Sequence, residues 1–231
     1  MARKEDVRSM FDSIAWRYDF LNHFLSIGTD YAWRRKAVRE MGRMISPGNI
    51  LDVATGTCDL AIASLKLNPQ KVTGVDISQR MLEEGRKKVF RKGLSERIEL
   101  ILGDSEELPF GDNHFDAAMV AFGVRNFENP AVGIAEMYRV IREDGVVMIL
   151  EFSHPGRFPF SAVYRFYFHY VLPFFGRLFS KDPAAYDYLP ESVSSFPEGE
   201  EFMEIIGNAG FKDVKRRLLT GGVASIYTGR K

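Results

Sequence analysis

The sequence predicts an α/β fold, a mostly parallel sheet with helices on both faces. Short apolar runs alternate with amphipathic stretches across residues 46–153, and strands that alternate with helices imply a parallel sheet covered on both sides. The 231 residues exceed an average domain of about 150, which fits one elaborated domain. Hydrophobic residues at 45% and charged residues at 27% exclude disordered, collagen-like and coiled-coil chains.

The elements follow in order. Met10, Phe11, Ile14, Tyr18, Leu21 and Leu25 recur at helical intervals, break near residues 26–30, and resume with Trp33, Ala37 and Met41. Residues 1–45 are therefore expected to be a helical cover. Within the 46–153 core, strands are expected at 50–53, 71–76, 98–102, 115–122 and 146–152, with helices at 60–67, 80–92 and 132–142. Residues 154–196 form an insertion, because 158–179 carry ten Phe and Tyr residues. In the closing segment, 197–231, a helix at 200–208 stops at Gly210, and strands at 214–219 and 223–228 joined by Gly221-Gly222 fit an antiparallel hairpin.

Composition bounds the function. Thirty-one basic residues balance thirty-one acidic ones, so no surplus charge favours a nucleic-acid backbone as partner. The single cysteine, Cys58, makes no internal disulfide and no zinc site, so a reducing, cytoplasmic home and no metal are expected. The charged N-terminus is unlike a secretory signal, and the uncharged run at 166–176 is too short to span a bilayer.

In an open α/β sheet, ligands bind beyond the carboxyl ends of the strands, where loops meet and helix N-termini offer free amides. Asp52 through Thr57 follow the first strand, with Gly56 letting a ligand approach the backbone. Asp76, twenty-four residues after Asp52, closes the second strand, where a carboxylate can accept both ribose hydroxyls. Asp104-Ser105 closes the third strand, where a carboxylate can take an adenine amine. Together they outline an adenosine. A dinucleotide loop would read G-x-G-x-x-G, but Ala54, Gly56 and Asp59 stand at those positions. A carboxylate at the helix start opposes a pyrophosphate, and Asp52 suits an ammonium. S-adenosylmethionine is favoured over NAD.

The chain resembles the class I methyltransferases, and more closely the ubiquinone/menaquinone biosynthesis C-methyltransferase family. The resemblance is carried by Tyr18-Asp19-Phe20-Leu21-Asn22 through Trp33, Arg139-Val140-Ile141 through Ser153, and Ala121-Phe122-Gly123-Val124-Arg125-Asn126. Tyr188-Leu189-Pro190-Glu191-Ser192 and Leu219-Thr220-Gly221-Gly222 add to it. It implies a Rossmann-like, seven-stranded sheet with an antiparallel last strand, an aromatic-rich helical insertion, and S-adenosylmethionine as methyl donor. Donor contacts carried over fall on Thr57, Asp76, Asp104 and Ser105, with Ile77 beside Asp76. A family serine contact falls on Ala121, where only backbone can serve. Three departures stand out: Thr55-Gly56-Thr57-Cys58 replaces a glycine-rich loop, Asp30 replaces a histidine, and Arg142-Glu143-Asp144-Gly145 replaces Lys-Pro-Gly-Gly.

The implied acceptor is a prenylated quinol, demethylmenaquinol above others. Other hydrophobic acceptors such as a sterol, lipid amine or polyketide stay open, as does a non-catalytic donor-binding scaffold. A ring carbon becomes nucleophilic when the phenol, with pKa near 10 in the tyrosine type, loses its proton. Arg125 and Asn126, past the fourth strand, are candidates for stabilising the oxyanion. A guanidinium keeps its proton at neutral pH, so the proton acceptor is sought at Tyr18, Asp19 or His154. The 158–179 stretch could cap the core, line a channel for the isoprenoid tail, rest peripherally on a membrane, or pair two copies as a homodimer.

Overall fold

The computed structural model describes residues 3–26, 28–156, 161, 188 and 192–231, with the backbone alone at 17 and 20–25. The aromatic stretch 158–179 lies outside the described residues except Ser161, and so do the expectations attached to it.

Seven strands form one sheet in the order β3-β2-β1-β4-β5-β7-β6. They are β1 (Asn49–Val53), β2 (Lys71–Asp76), β3 (Ile98–Leu102), β4 (Phe115–Ala121), β5 (Ile141–Phe152), β6 (Lys212–Leu219) and β7 (Ala224–Arg230). The first five pair in parallel, and β7 runs antiparallel to both β5 and β6. The closing hairpin inserts β7 beside β5, which leaves β6 at the edge. The helices are α1 (Lys4–Leu25), α2 (Thr29–Met44), α3 (Asp59–Ser64), α4 (Gln79–Arg91), α5 (Pro130–Val140) and α6 (Glu200–Asn208).

Side chains alternate along a strand, and this alternation divides the core. Ile50, Val146 and Met148 face Trp33 and Met41 of α2, Ala61 of α3 and Val89 of α4. Leu51, Val147 and Ile149 face Ile134 and Met137 of α5 and Phe202 and Ile206 of α6. The inner strands read as unbroken apolar runs because both faces are covered.

Several boundaries differ from the sequence reading, those of two helices most clearly. The helix expected at 132–142 starts at Pro130, because the Asn129 side chain accepts from the Ala131 and Val132 amides and Pro suits the first turn. It ends at Val140 because Ile141 already pairs with Phe115 as strand, and the ladder resumes at Val146 opposite Ala117. Between them Asp144 takes a positive φ of 63°, a conformation Asp tolerates better than most residues, in place of the family's glycine. The helix expected at 60–67 closes its last turn as a 3-10 turn, Leu65–Leu67. Among the described residues, no helix is long and apolar enough to cross a membrane, and no group of three His, Cys, Asp or Glu could hold a metal ion.

Candidate active site

The loops at the carboxyl ends of β1 to β4 surround an open cleft. Helix α1 covers it with Lys4, Val7, Phe11 and Tyr18, spaced so that one helical face meets the opening. Of the expected residues, Tyr18, Gly56, Asp76, Ile77, Asp104, Ser105, Ala121 and Asn126 line this cleft. Asp52, Thr57, Asp19 and Arg125 do not appear on its wall.

Asp76 ends β2 with two backbone partners: Oδ2 accepts from the Gly56 amide at 2.8 Å and Oδ1 from the Ser78 amide at 2.8 Å. The carboxylate thus links the loops after β1 and β2. Burial raises its pKa to about 6, against the pull of those hydrogen bonds and with the nearby Asp12 adding to the rise. Gly56 has φ +55°, and a Cβ there would meet only the Tyr18 ring, at 3.9 Å. The loop therefore leaves room for a ligand rather than packing against protein. Gly123 is the opposite case: a Cβ would stand 2.8 Å from the Ala54 Cβ, so the loops after β1 and β4 touch through their backbones.

Asp104 closes the far side. Its Oδ1 accepts from the Glu106 amide at 2.9 Å, and its Oδ2 from Lys4 Nζ at 2.7 Å; Lys4 also reaches Glu106 at 3.2 Å. Lys4 has a raised pKa, chiefly through its hydrogen bond to Asp104.

Asp52 lies beneath the loop. Even-numbered positions of β1 face α2 to α4, so its side chain turns into the core, 1% exposed, and accepts the Thr55 hydroxyl at 2.6 Å. Its Oδ1 is buried without a partner, and burial raises its pKa to about 7. Thr57 and Asp19 meet behind the cleft: the Thr57 hydroxyl donates to Asp19, whose other oxygen pairs with Lys88 at 2.5 Å. Lys88 also holds Asp59 at 2.7 Å. A network of ions thereby ties α1 to the loop after β1 and to α4. Asp30 pairs with the buried Arg34, so the residue that departs from the family histidine anchors α2. His154 Nδ1 faces Glu198 at 3.4 Å, away from the cleft.

Arg125 lies inside the protein, its side chain 8% exposed. Its Nη1 donates to Glu151 Oε1 at 2.8 Å and to the Phe122 carbonyl at 2.5 Å. Asn126 is held from outside by the Tyr188 hydroxyl, which donates to Asn126 Oδ1 at 3.1 Å. The sequence reading missed Lys4, Val7 and Glu106 on the cleft wall and Glu151 as the partner of Arg125. The helical spacing of residues 4, 7, 11 and 18 was the signal for the first two; nothing local marks Glu151.

These features suit S-adenosylmethionine. Among the described residues, Asp76, Asp104, Glu106 and Glu128 surround the cleft against one cation, Lys4. A positively charged ligand fits that balance. A pyrophosphate does not, because the Gly56 amide that would meet it is committed to Asp76.

Among solved structures, an S-adenosylmethionine-dependent methyltransferase from Aquifex aeolicus superposes with a TM-score of 0.60 at 19% identity, covering 85% of this chain and 88% of that one. The [4+2]-cyclase SpnF superposes with a TM-score of 0.72 at 18% identity, over 97% and 95%. Such distant likenesses show the fold alone, and a cyclase among them makes the point. A Bacteroides fragilis protein named demethylmenaquinone methyltransferase is 46% identical over 230 residues, 99% of this chain and 94% of its own length. A Geotalea uraniireducens protein named ubiquinone/menaquinone biosynthesis C-methyltransferase UbiE is 47% identical over 229 residues, 98% and 97%. Fold, cleft and relatives together define an S-adenosylmethionine-dependent methyltransferase. More narrowly, the family model described as the ubiE/COQ5 methyltransferase family matches residues 1–231, and the chain belongs to that family.

Proposed function

We propose that this chain methylates a ring carbon of a prenylated quinol, demethylmenaquinol, to give menaquinol. The observation that carries this reading is the similarity over 99% of the chain to the Bacteroides fragilis protein of that name. The cleft agrees with it: Phe11, Phe122 and Phe127 stand beside the acidic groups, so one site offers both charge and an apolar wall.

Bound S-adenosylmethionine supplies an electrophilic methyl group carried on a sulfonium. The remaining work belongs to the residues. Asp76 accepts the two ribose hydroxyls, with Ile77 beside it, and Asp104 and Ser105 meet the adenine edge. Gly56 and Ala121 let the donor lie against backbone, while Asp52 and Thr57 shape the loop from behind. Helix α1 excludes water, which strengthens the electrostatic interactions inside. Tyr18 and Asn126, the expected catalytic groups on the cleft wall, hydrogen-bond the acceptor hydroxyl and orient its ring. Asp19 is bound to Lys88 and Thr57, so its part is to fix α1.

Purified protein with S-adenosylmethionine and demethylmenaquinol should yield menaquinol by mass spectrometry, and cells lacking the gene should accumulate the demethylated quinone. Transfer to a sterol or lipid amine instead would replace the substrate assigned here. Donor binding without transfer to any acceptor would favour a scaffold.

A further inference from the structure

We propose that Arg125 is a positioning residue: clamped by Glu151, it holds Phe122 in a left-handed backbone conformation and thereby sets the wall of the cleft that faces the acceptor ring. The inference deepens the methyl-transfer reading of this site and rests on it.

Phe122 has φ +58°. A bulky residue adopts that conformation only where its surroundings over-determine it. Here they do. Its amide donates to the Leu150 carbonyl at 2.8 Å, and its carbonyl accepts from Arg125 Nη1 at 2.5 Å and from Asn126 Nδ2 at 3.5 Å. Its ring packs between Phe152, 4.6 Å between centroids, and Trp33, 6.1 Å. The strained residue lines the cleft, next to Gly123 and Asn126.

One nitrogen of the guanidinium, Nη1, does this work. Glu151 is completely buried, and Arg125 Nη1 bridges Glu151 Oε1 to the Phe122 carbonyl. The Arg125 amide reaches Glu151 Oε2 at 3.4 Å, and the Phe152 amide donates to Oε1 at 2.9 Å. The head group lies 5.3 Å from the Phe152 ring centroid. A guanidinium that swung out to meet an acceptor oxygen would strand a buried carboxylate, which is strongly unfavourable. Arg125 Nε is buried with no hydrogen-bond partner, which fits a head group placed for Nη1 rather than for a fork around a ligand.

The test compares variants on whichever acceptor the wild type methylates, with donor affinity measured by calorimetry. Arg125→Ala and Glu151→Gln should each lower kcat about tenfold or more, and the double variant should be no worse than the poorer single one, since both break one clamp. Donor affinity should stay within about threefold, because neither group touches the donor loop. In a Phe122→Gly background, which adopts the left-handed conformation without strain, Arg125→Ala should cost less than about threefold further. If Arg125→Ala does not fold, Arg125→Lys, which shortens the arm and removes the flat head group beside the Phe152 ring, should lower kcat in the same direction with the same relief by Phe122→Gly. Near-normal turnover of Glu151→Gln beside a crippled Arg125→Ala would overturn the proposal. So would an equal loss from Arg125→Ala in both backgrounds, because the guanidinium would then act on the acceptor itself. A wild type that ignores demethylmenaquinol but methylates another acceptor defeats the substrate assignment and leaves this comparison intact.

Discussion

The two halves of the sheet's carboxyl edge are built differently. At the ends of β1, β2 and β3, the cleft carries carboxylates fixed by backbone amides: Asp76 by Gly56 and Ser78, Asp104 by Glu106. At the ends of β4 and β5, one buried ion pair, Arg125 with Glu151, and three rings, Trp33, Phe122 and Phe152, shape the wall. Amides held by turns can present a charge to a polar donor with little packing around them. An apolar acceptor offers few hydrogen bonds, so its position depends on shape, and shape depends on a packed and partly strained interior.

The difference should appear most strongly in stability. Glu151→Ala strands the Arg125 charge in the interior and should cost about 3–5 kcal/mol, read by denaturant unfolding. Asp76→Ala should leave folding nearly unchanged by comparison and weaken S-adenosylmethionine binding by about 1.5–3 kcal/mol, the range for hydrogen bonds to a charged group, read by calorimetry. A large stability loss from Asp76→Ala would break the contrast.

The same carboxylate gives the donor half a pH dependence. With a pKa raised to about 6 by burial, Asp76 holds a proton below that pH and cannot receive both ribose hydroxyls as a full anion. Donor affinity should therefore rise as pH increases through about 6 and level off above it. Asp76→Asn should flatten that step; any slope left nearer 7 belongs to Asp52, whose burial raises it to about 7. The smallest effect concerns Lys4. It pairs with Asp104 while one-third exposed, so Lys4→Ala should change stability by no more than about 1 kcal/mol. Donor affinity should improve slightly, because Asp104 loses a competing cation. A marked loss of affinity would make Lys4 part of the donor site.

Much of the layout of the β1–β3 edge was legible in the sequence because its signals are local. Asp76 and Asp104 close strands that read as apolar runs, and Gly56 sits in the turn after β1. The expected strand 71–76 and the helix at 200–208 coincide with β2 and α6, where turn residues bound a clear period. Asp52 was placed by the same logic, yet strand alternation turns it inward onto Thr55. Asp19 and Arg125 looked like free reactive groups, whereas Lys88 and Glu151, distant in sequence, occupy them.

Composition, periodicity and turn chemistry thus determined the order of elements, the α/β class and the strand ends that border the cleft. These are properties of neighbouring residues and need no fold to be felt. Tertiary structure alone decided which polar groups face the cleft and which face each other, and it held Phe122 left-handed. An ion pair between positions 125 and 151 exists only once β4 and β5 lie side by side, because charges twenty-six residues apart have no fixed distance in an unfolded chain.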